Sequence, residues 1–300
     1  MSNTIWDKKS SGGDLVMVET NGLSQPAHLS PVDLNSMRAK TLGDYLKSRR
    51  ARLQPEQAGL AKTHGQRRTP GLRREEVAIL AGVSATYYTF LEQGREVAVS
   101  REVIESIGRA LQLSPDEHTH LLGLWNGNEP EMAPPITSEI TQPWRDIVNQ
   151  MAFPAFITND RAELLAWNTS VDKYVLDYTS RAPEQRNMMF SLFTDPEMRA
   201  RLINWEEMAA HSVAIFRTSY DRYTHDPWFP KFVDDLSKES SEFASLWELH
   251  HVEAKRVTRV YYQLPDQEQA IAYDINSLSF TLDHPDLHLC IYSPVKEQES

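Results

Sequence analysis

Three hundred residues, 40% of them apolar, suffice for two ordinary cores, and a net charge of −11 excludes a chain that binds nucleic acid over its whole surface. The single cysteine, Cys290, excludes an intrachain disulfide. No apolar run approaches the roughly 18 residues of a membrane span, and LVMV at 15–18 is too short for a secretory signal, so the expected compartment is the cytoplasm, away from membranes.

Residues 1–37 are rich in Ser, Gly, Asn and Pro and read as a mobile tail. The next stretch, 38–74, holds eleven Lys/Arg against Asp44 and Glu56, a local charge of +9 that leaves −20 for the remainder. Such asymmetry predicts a basic contact surface beside an acidic body. Leu42, Tyr45, Leu46 and Arg49 fall at helical spacing and predict an amphipathic helix over 41–52. A basic loop follows, 53–70, longer than most helix connections.

Residues 73–95 read as two short helices around a glycine turn. The first is Arg74–Ala81, with Val77, Ala78 and Leu80 as its apolar face; the second follows Ser84, with Tyr88 and Leu91 facing inward. Gly82 supplies the left-handed backbone that a sharp helix–helix turn needs, and Ser84 is a good N-cap. The pattern is a helix-turn-helix, whose second helix fits a DNA major groove. Ser100 caps a further helix carrying Val103, Ile104, Ile107, Ala110 and Leu111, and Ser114-Pro115-Asp116-Glu117 starts one that runs to Trp125. Five helices over 38–126 make an all-α domain. Residues 127–139 are a linker by composition.

From 140 to 296 the pattern changes. Strands are predicted at 153–160 and 163–168, helices over roughly 170–255, and strands again in TRVYYQL, AIAYDINSLSFTL and LHLCIYS. That order predicts an α+β domain, an antiparallel sheet with helices over one face. Asn168 is placed to cap the helix after the second strand.

The block RRTPGLRREEVAILAGVSATYYTFLEQGR, with LLAWN, DPEMRARLINWEEMA and WELHHV further on, resembles the MmyB-like branch of Xre-type bacterial transcription regulators. The resemblance spans about 42–294. It implies a Cro/repressor-like domain followed by a PAS-like ligand-binding domain, a fatty-acid-like ligand, and a place in the bacterial cytosol associated with the nucleoid. Two departures bear on the operator sequence rather than the fold: Phe90 stands where the family usually has a basic residue, and EVAVS (96–100) replaces a Pro/Asn-rich loop.

By that resemblance Ala85, Thr86 and Phe90 stand at the base-contacting positions, with Ser84, Tyr87 and Thr89 beside them in the DNA-binding surface. None forms the bidentate pair that reads a base strongly, so specificity is expected to lean on Arg67 and Arg68 or on DNA shape. Arg73, Arg74 and Arg95 are expected phosphate contacts. One such domain reads few base pairs, so a homodimer on an inverted-repeat operator is expected. For the ligand, Trp167, Met188, Phe193, Trp205 and Trp247 are candidate walls, with Met188-Met189-Phe190 an adaptable cluster. Arg217 is the first candidate for a polar anchor, before His211, His250 and His251. His284, Asp286, His288 and Cys290 alternate as zinc ligands on a strand would, but Pro285 interrupts the row and a half-exposed strand gives the same pattern. No metal, cofactor or catalytic residue is expected, since phosphate loops, nucleophile elbows and HExxH are all missing. The alternative function is a DNA-binding protein whose C-terminal domain only dimerises or contacts another protein.

Overall fold

The computed structural model describes residues 31–60, 71–125, 135–265, 267–280 and 284–295. Residues 1–30 of the tail expected over 1–37 therefore lie outside the described residues, as do Arg67, Arg68 and most of the expected linker.

The helical domain contains α1 (Pro31–Arg52), α2 (Arg74–Ala81), α3 (Ala85–Glu92), α4 (Arg101–Ala110) and α5 (Pro115–Trp125). The first helix begins at Pro31, not near Thr41, so 31–37 are helical rather than irregular tail. Leu46, Leu72, Val77, Tyr88, Ile104, Ile107 and Leu121 are all fully buried in one core. The inner face of α2 is Val77, Ala78 and Ala81. Leu80 was expected there, but it is 37% exposed beside the still more exposed Ile79. At Gly43 a Cβ would lie 2.7 Å from the carbonyl oxygens of Leu91 and Glu92, so only glycine lets α1 cross the end of α3 this closely.

The C-terminal domain follows as α6 (Gln142–Asn149), β1 (Ala155–Thr158), β2 (Leu164–Trp167), α7 (Thr169–Tyr174), α8 (Met188–Thr194), α9 (Pro196–Arg201), α10 (Trp205–Arg222), α11 (Trp228–Glu239), α12 (Ser241–Glu248), β3 (Thr258–Tyr262), β4 (Ile271–Ser279) and β5 (His288–Pro294). The strands form one antiparallel sheet in the order β2-β1-β5-β4-β3. As expected, Asn168 caps α7, its side-chain oxygen accepting from Val171 N–H at 3.2 Å.

Helices cover both faces of the sheet, not one. Phe156, Val260, Tyr262, Tyr273, Ile275 and Tyr292 pack against Leu192, Met198, Trp205 and Ala209 of α8–α10. On the other side Val148 of α6 packs with Ala155, Ile157 and Leu287. Burial from both sides explains why every residue of β1 is buried. Helices α10, α11 and α12 share a further aromatic core around Phe216, Phe229 and Phe243. Thr137, assigned to the linker by composition, is tied to this domain. Its N–H and hydroxyl both donate to Asp286, at 2.6 and 3.0 Å.

The two domains are joined by side chains as well as by the chain. The segment after α12 sends Val252, 4% exposed, into the apolar core of the helical domain. Asp116 of α5 accepts from Arg256 at 2.6 Å and from Ala254 N–H at 3.3 Å. His120 of α5 meets Asp221 of α10 at 2.9 Å.

Candidate DNA-binding surface and ligand cavity

The helix-turn-helix is built by local chemistry. Gly82 ends α2 at φ +70°, and its N–H and that of Val83 satisfy the carbonyls of Ile79 and Ala78. Ser84 opens α3, its hydroxyl accepting from Tyr87 N–H at 3.1 Å. Thr86 is exposed, while Ala85, Tyr87, Thr89 and Phe90 are half-buried. Tyr87 donates its hydroxyl to Ala98 O at 2.8 Å, which ties α3 to the EVAVS loop. Thr89 donates to Ala85 O at 2.7 Å within its own helix. The Arg95 guanidinium lies 4.4 Å from the centre of the Phe90 ring, so the aromatic side chain that replaces a basic residue is itself covered by one.

Part of the basic stretch is used inside the fold. Glu92, its side chain fully buried, accepts from Arg50 through both oxygens, the second at 3.1 Å, and from Arg74 at 2.7 Å. Glu117 accepts from buried Arg49 at 2.7 Å and from Arg52 at 2.6 Å. Burial alone would raise the Glu92 carboxyl, but its bonds to Arg50 and Arg74 outweigh that and hold it below the usual carboxylate range. Four of the eleven cations thus fix α1 and α2 to α3 and α5. Arg74, expected on phosphate, is first a partner of Glu92. Arg73 and Arg95 are exposed.

The C-terminal domain encloses a cavity of about 160 Å³ between the sheet and α8–α10. Strand register builds its floor from two rungs. Phe156, Cys290 and Ser277 lie opposite one another across β1, β5 and β4; Tyr292, Ile275 and Thr258 do so across β5, β4 and β3. Met188, Met189, Met198 and Met208 contribute to the walls, and such unbranched thioethers adapt to varied shapes. Burial pushes the Cys290 thiol up, against the nearby Lys255.

Of the expected ligand residues, Met188 and His211 line this cavity. Trp167, Phe193 and Trp205 do not. Trp167 donates to Asp172 at 3.0 Å, Trp205 donates to Leu192 O at 2.8 Å, and Phe193 packs edge-on against Trp205 and Phe243. They are core because their large faces fill the space between the helices. Arg217, Trp247 and His250 come together elsewhere, at a cleft of about 380 Å³ facing α1. Arg217 donates to Trp247 O and stacks 3.6 Å from its ring centre; burial lowers its guanidinium to about 10. Burial likewise lowers His250 to about 4. His251, the last candidate anchor, is exposed. Among the described residues no three metal-ligating side chains gather. His284 and Asp286 engage Thr137, while His288 meets Asp160 at 2.8 Å.

Lys255 is the cavity cation that the sequence did not reveal. It sits in the irregular segment between α12 and β3 and is exposed as a residue, although its ammonium end lines the cavity. Its ammonium is desolvated enough to fall below the usual lysine range, although Cys290 and Asp160 act to raise it. The other polar groups around it are engaged. Arg256 pairs with Asp116, and Asp160 with His288 and Arg222.

Residues 140–300 match the family model described as the MmyB-like transcription regulator ligand binding domain. Residues 41–121 match a helix-turn-helix domain. Comparison with curated proteins gives no match. Among the described residues no helix is long and apolar enough to cross a membrane.

Proposed function

The chain belongs to the MmyB-like transcription regulators, and from that premise we propose a regulator whose operator binding is set by a small lipophilic ligand in the methionine-walled cavity. It is a DNA-binding regulator with a C-terminal ligand-binding domain, and both matched families are regulatory rather than enzymatic. The observation that carries the finer reading is the cavity itself: aromatic floor, thioether walls, and polar groups at one end. Its volume resembles that of a protein cavity that takes benzene, so a short acyl chain or a single ring fits before any wall moves. On the DNA side, α3 enters the major groove, Ala85 and Phe90 touch thymine methyls, and Thr86 donates or accepts. Arg73 and Arg95 hold the backbone, and two copies occupy an inverted repeat.

The test is calorimetric titration of the full chain with hexanoate, octanoate and decanoate. Each methylene that enters the cavity contributes about 0.8 kcal/mol, or about fourfold in affinity. Affinity should climb at that rate and level off when the cavity is full. A series that shows no dependence on chain length would remove the cavity as the ligand site.

A further inference from the structure

The cleft between α1 and helices α10–α12 is separate from the methionine-walled cavity, and among the described residues no side chain lines both. Its volume of about 380 Å³ lies in the range of small-molecule sites, about 300–1,000 Å³. Helical spacing builds the two walls. Met37, Thr41 and Asp44 fall on one stripe of α1, and Arg217, Tyr220 and Thr224 fall on one stripe of α10.

Arg217 sits at the buried end, 5% exposed. It lies 3.6 Å from the Trp247 ring centre and donates one N–H to Trp247 O. Its Nε is buried and meets no acceptor among the described residues. Asp221, the nearest acid on its own helix, pairs with His120 at 2.9 Å. A guanidinium taken out of water with its fork incomplete is costly, and a carboxylate completes it with two parallel bonds.

Asp44 stands on the opposite wall, exposed on α1. Asp44 and Arg217 act with opposite sign on the same two side chains, Tyr220 and His250. Among the described residues no ion pair joins them. Fixed charges that face each other across a gap are matched by a molecule that carries both. The lining charges balance as well: Lys40 and Arg217 against Asp44 and Asp221. Burial, reinforced by Arg217, lowers His250 to about 4, so its ring adds no charge at neutral pH. A cleft that is neutral overall favours a zwitterion over a net anion or cation. Beside the two charges the Tyr220 and Trp247 rings meet edge to face, 5.1 Å apart, with Phe229 behind Tyr220. Such a wall suits a flat ring.

We propose that this cleft binds an aromatic α-amino acid, its carboxylate on Arg217, its ammonium on Asp44 and its ring against Tyr220 and Trp247. The site stands apart from the lipophile reading of the cavity and takes one charged contact from each domain.

Calorimetric titration of the full chain with L-tryptophan, indolepropionate, tryptamine and L-alanine tests this. Indolepropionate lacks the ammonium, tryptamine the carboxylate and L-alanine the ring. L-Tryptophan should bind at least roughly tenfold more tightly than tryptamine or L-alanine, and about threefold more tightly than indolepropionate, whose lost partner is exposed. Asp44→Asn should weaken L-tryptophan and tryptamine by about threefold and indolepropionate not at all. Arg217→Gln should weaken L-tryptophan and indolepropionate by at least roughly tenfold and spare tryptamine. Because Arg217 is buried, the exposed Asp44→Asn decides the matter where Arg217→Gln fails to fold. Saturating octanoate should leave the L-tryptophan affinity unchanged. No binding of L-tryptophan, equal binding of all four probes, or an equal effect of Asp44→Asn on indolepropionate would overturn the site. Competition by octanoate would overturn it too, by placing the amino acid in the methionine-walled cavity.

Discussion

Removing the Glu92 side chain should uncouple the helix-turn-helix from the helix that supports it. In the folded chain this carboxylate meets Arg50 of α1 and Arg74 of α2, with no exposure of its own. Glu92→Ala would leave the 6%-exposed Arg50 with one strong acceptor, Leu72 O at 2.7 Å. Removing one partner of a buried pair costs about 3–5 kcal/mol, because the remaining charge stays desolvated. For a helical domain of this size, roughly 4 °C or more per kcal/mol gives a fall of about 12 °C or more in its melting temperature. Calorimetry of the full chain measures it, and operator affinity should fall in parallel near the new midpoint. Adding Arg50→Met to Glu92→Leu should recover much of the loss, since an apolar replacement has no charge to desolvate. The pH dependence carries a sign. The Glu92 pKa is lowered on folding, so its contribution is complete above the unfolded carboxylate value and fades as pH falls through the folded one. Wild type should therefore lose stability in acid more steeply than Glu92→Ala. A melting temperature unchanged by Glu92→Ala, or parallel acid profiles, would refute the reasoning.

Arg73→Ala should weaken operator and random DNA alike and lower the slope of log affinity against log salt by about 0.9, the signature of one phosphate contact; a shift in base preference at constant slope would place Arg73 on a base. Gly82→Ala meets no neighbouring atom but forces a side chain to φ +70°, so it should cost about 1 kcal/mol in thermal unfolding with no change in salt slope. Cys290 should react with iodoacetamide at pH 8 well below the rate of a free thiol, because burial raises its pKa, and octanoate should slow it further. A free-thiol rate, the same with octanoate present, would place the sulfur outside the cavity.

Features that depend on neighbours in sequence were legible. The five N-terminal helices, the Gly82 turn, the Ser84 and Asn168 caps and all five strands follow from periodicity and local hydrogen bonding. The misplacements share a different cause. Arg49 and Arg50 count toward the basic run that predicts a contact surface, yet the acids that claim them, Glu117 and Glu92, come from helices distant in sequence. Trp205 looks like a ligand wall because a large aromatic suits either role, and the role turns on what packs against it. The short α6 escaped because its Pro- and Gln-rich start resembles the linker before it, while the buried face it offers is little more than Val148.

Arg217 and Lys255 differ in what surrounds their charges. Both cations are desolvated, and a guanidinium on a helix is the natural first choice. Arg217 is already engaged, stacked on Trp247 and donating to its carbonyl, in a cleft that does not reach the sheet. Among the described residues Lys255 has neither contact, and it stands where apolar and polar spaces meet. What a cation is free to meet therefore depends on its folded surroundings, not on its place in the sequence. Around the polar space beside Lys255, Asp116, Asp160, Asp221 and Glu253 each have a basic partner, so the net charge of the chain is a poor guide to the field at Lys255.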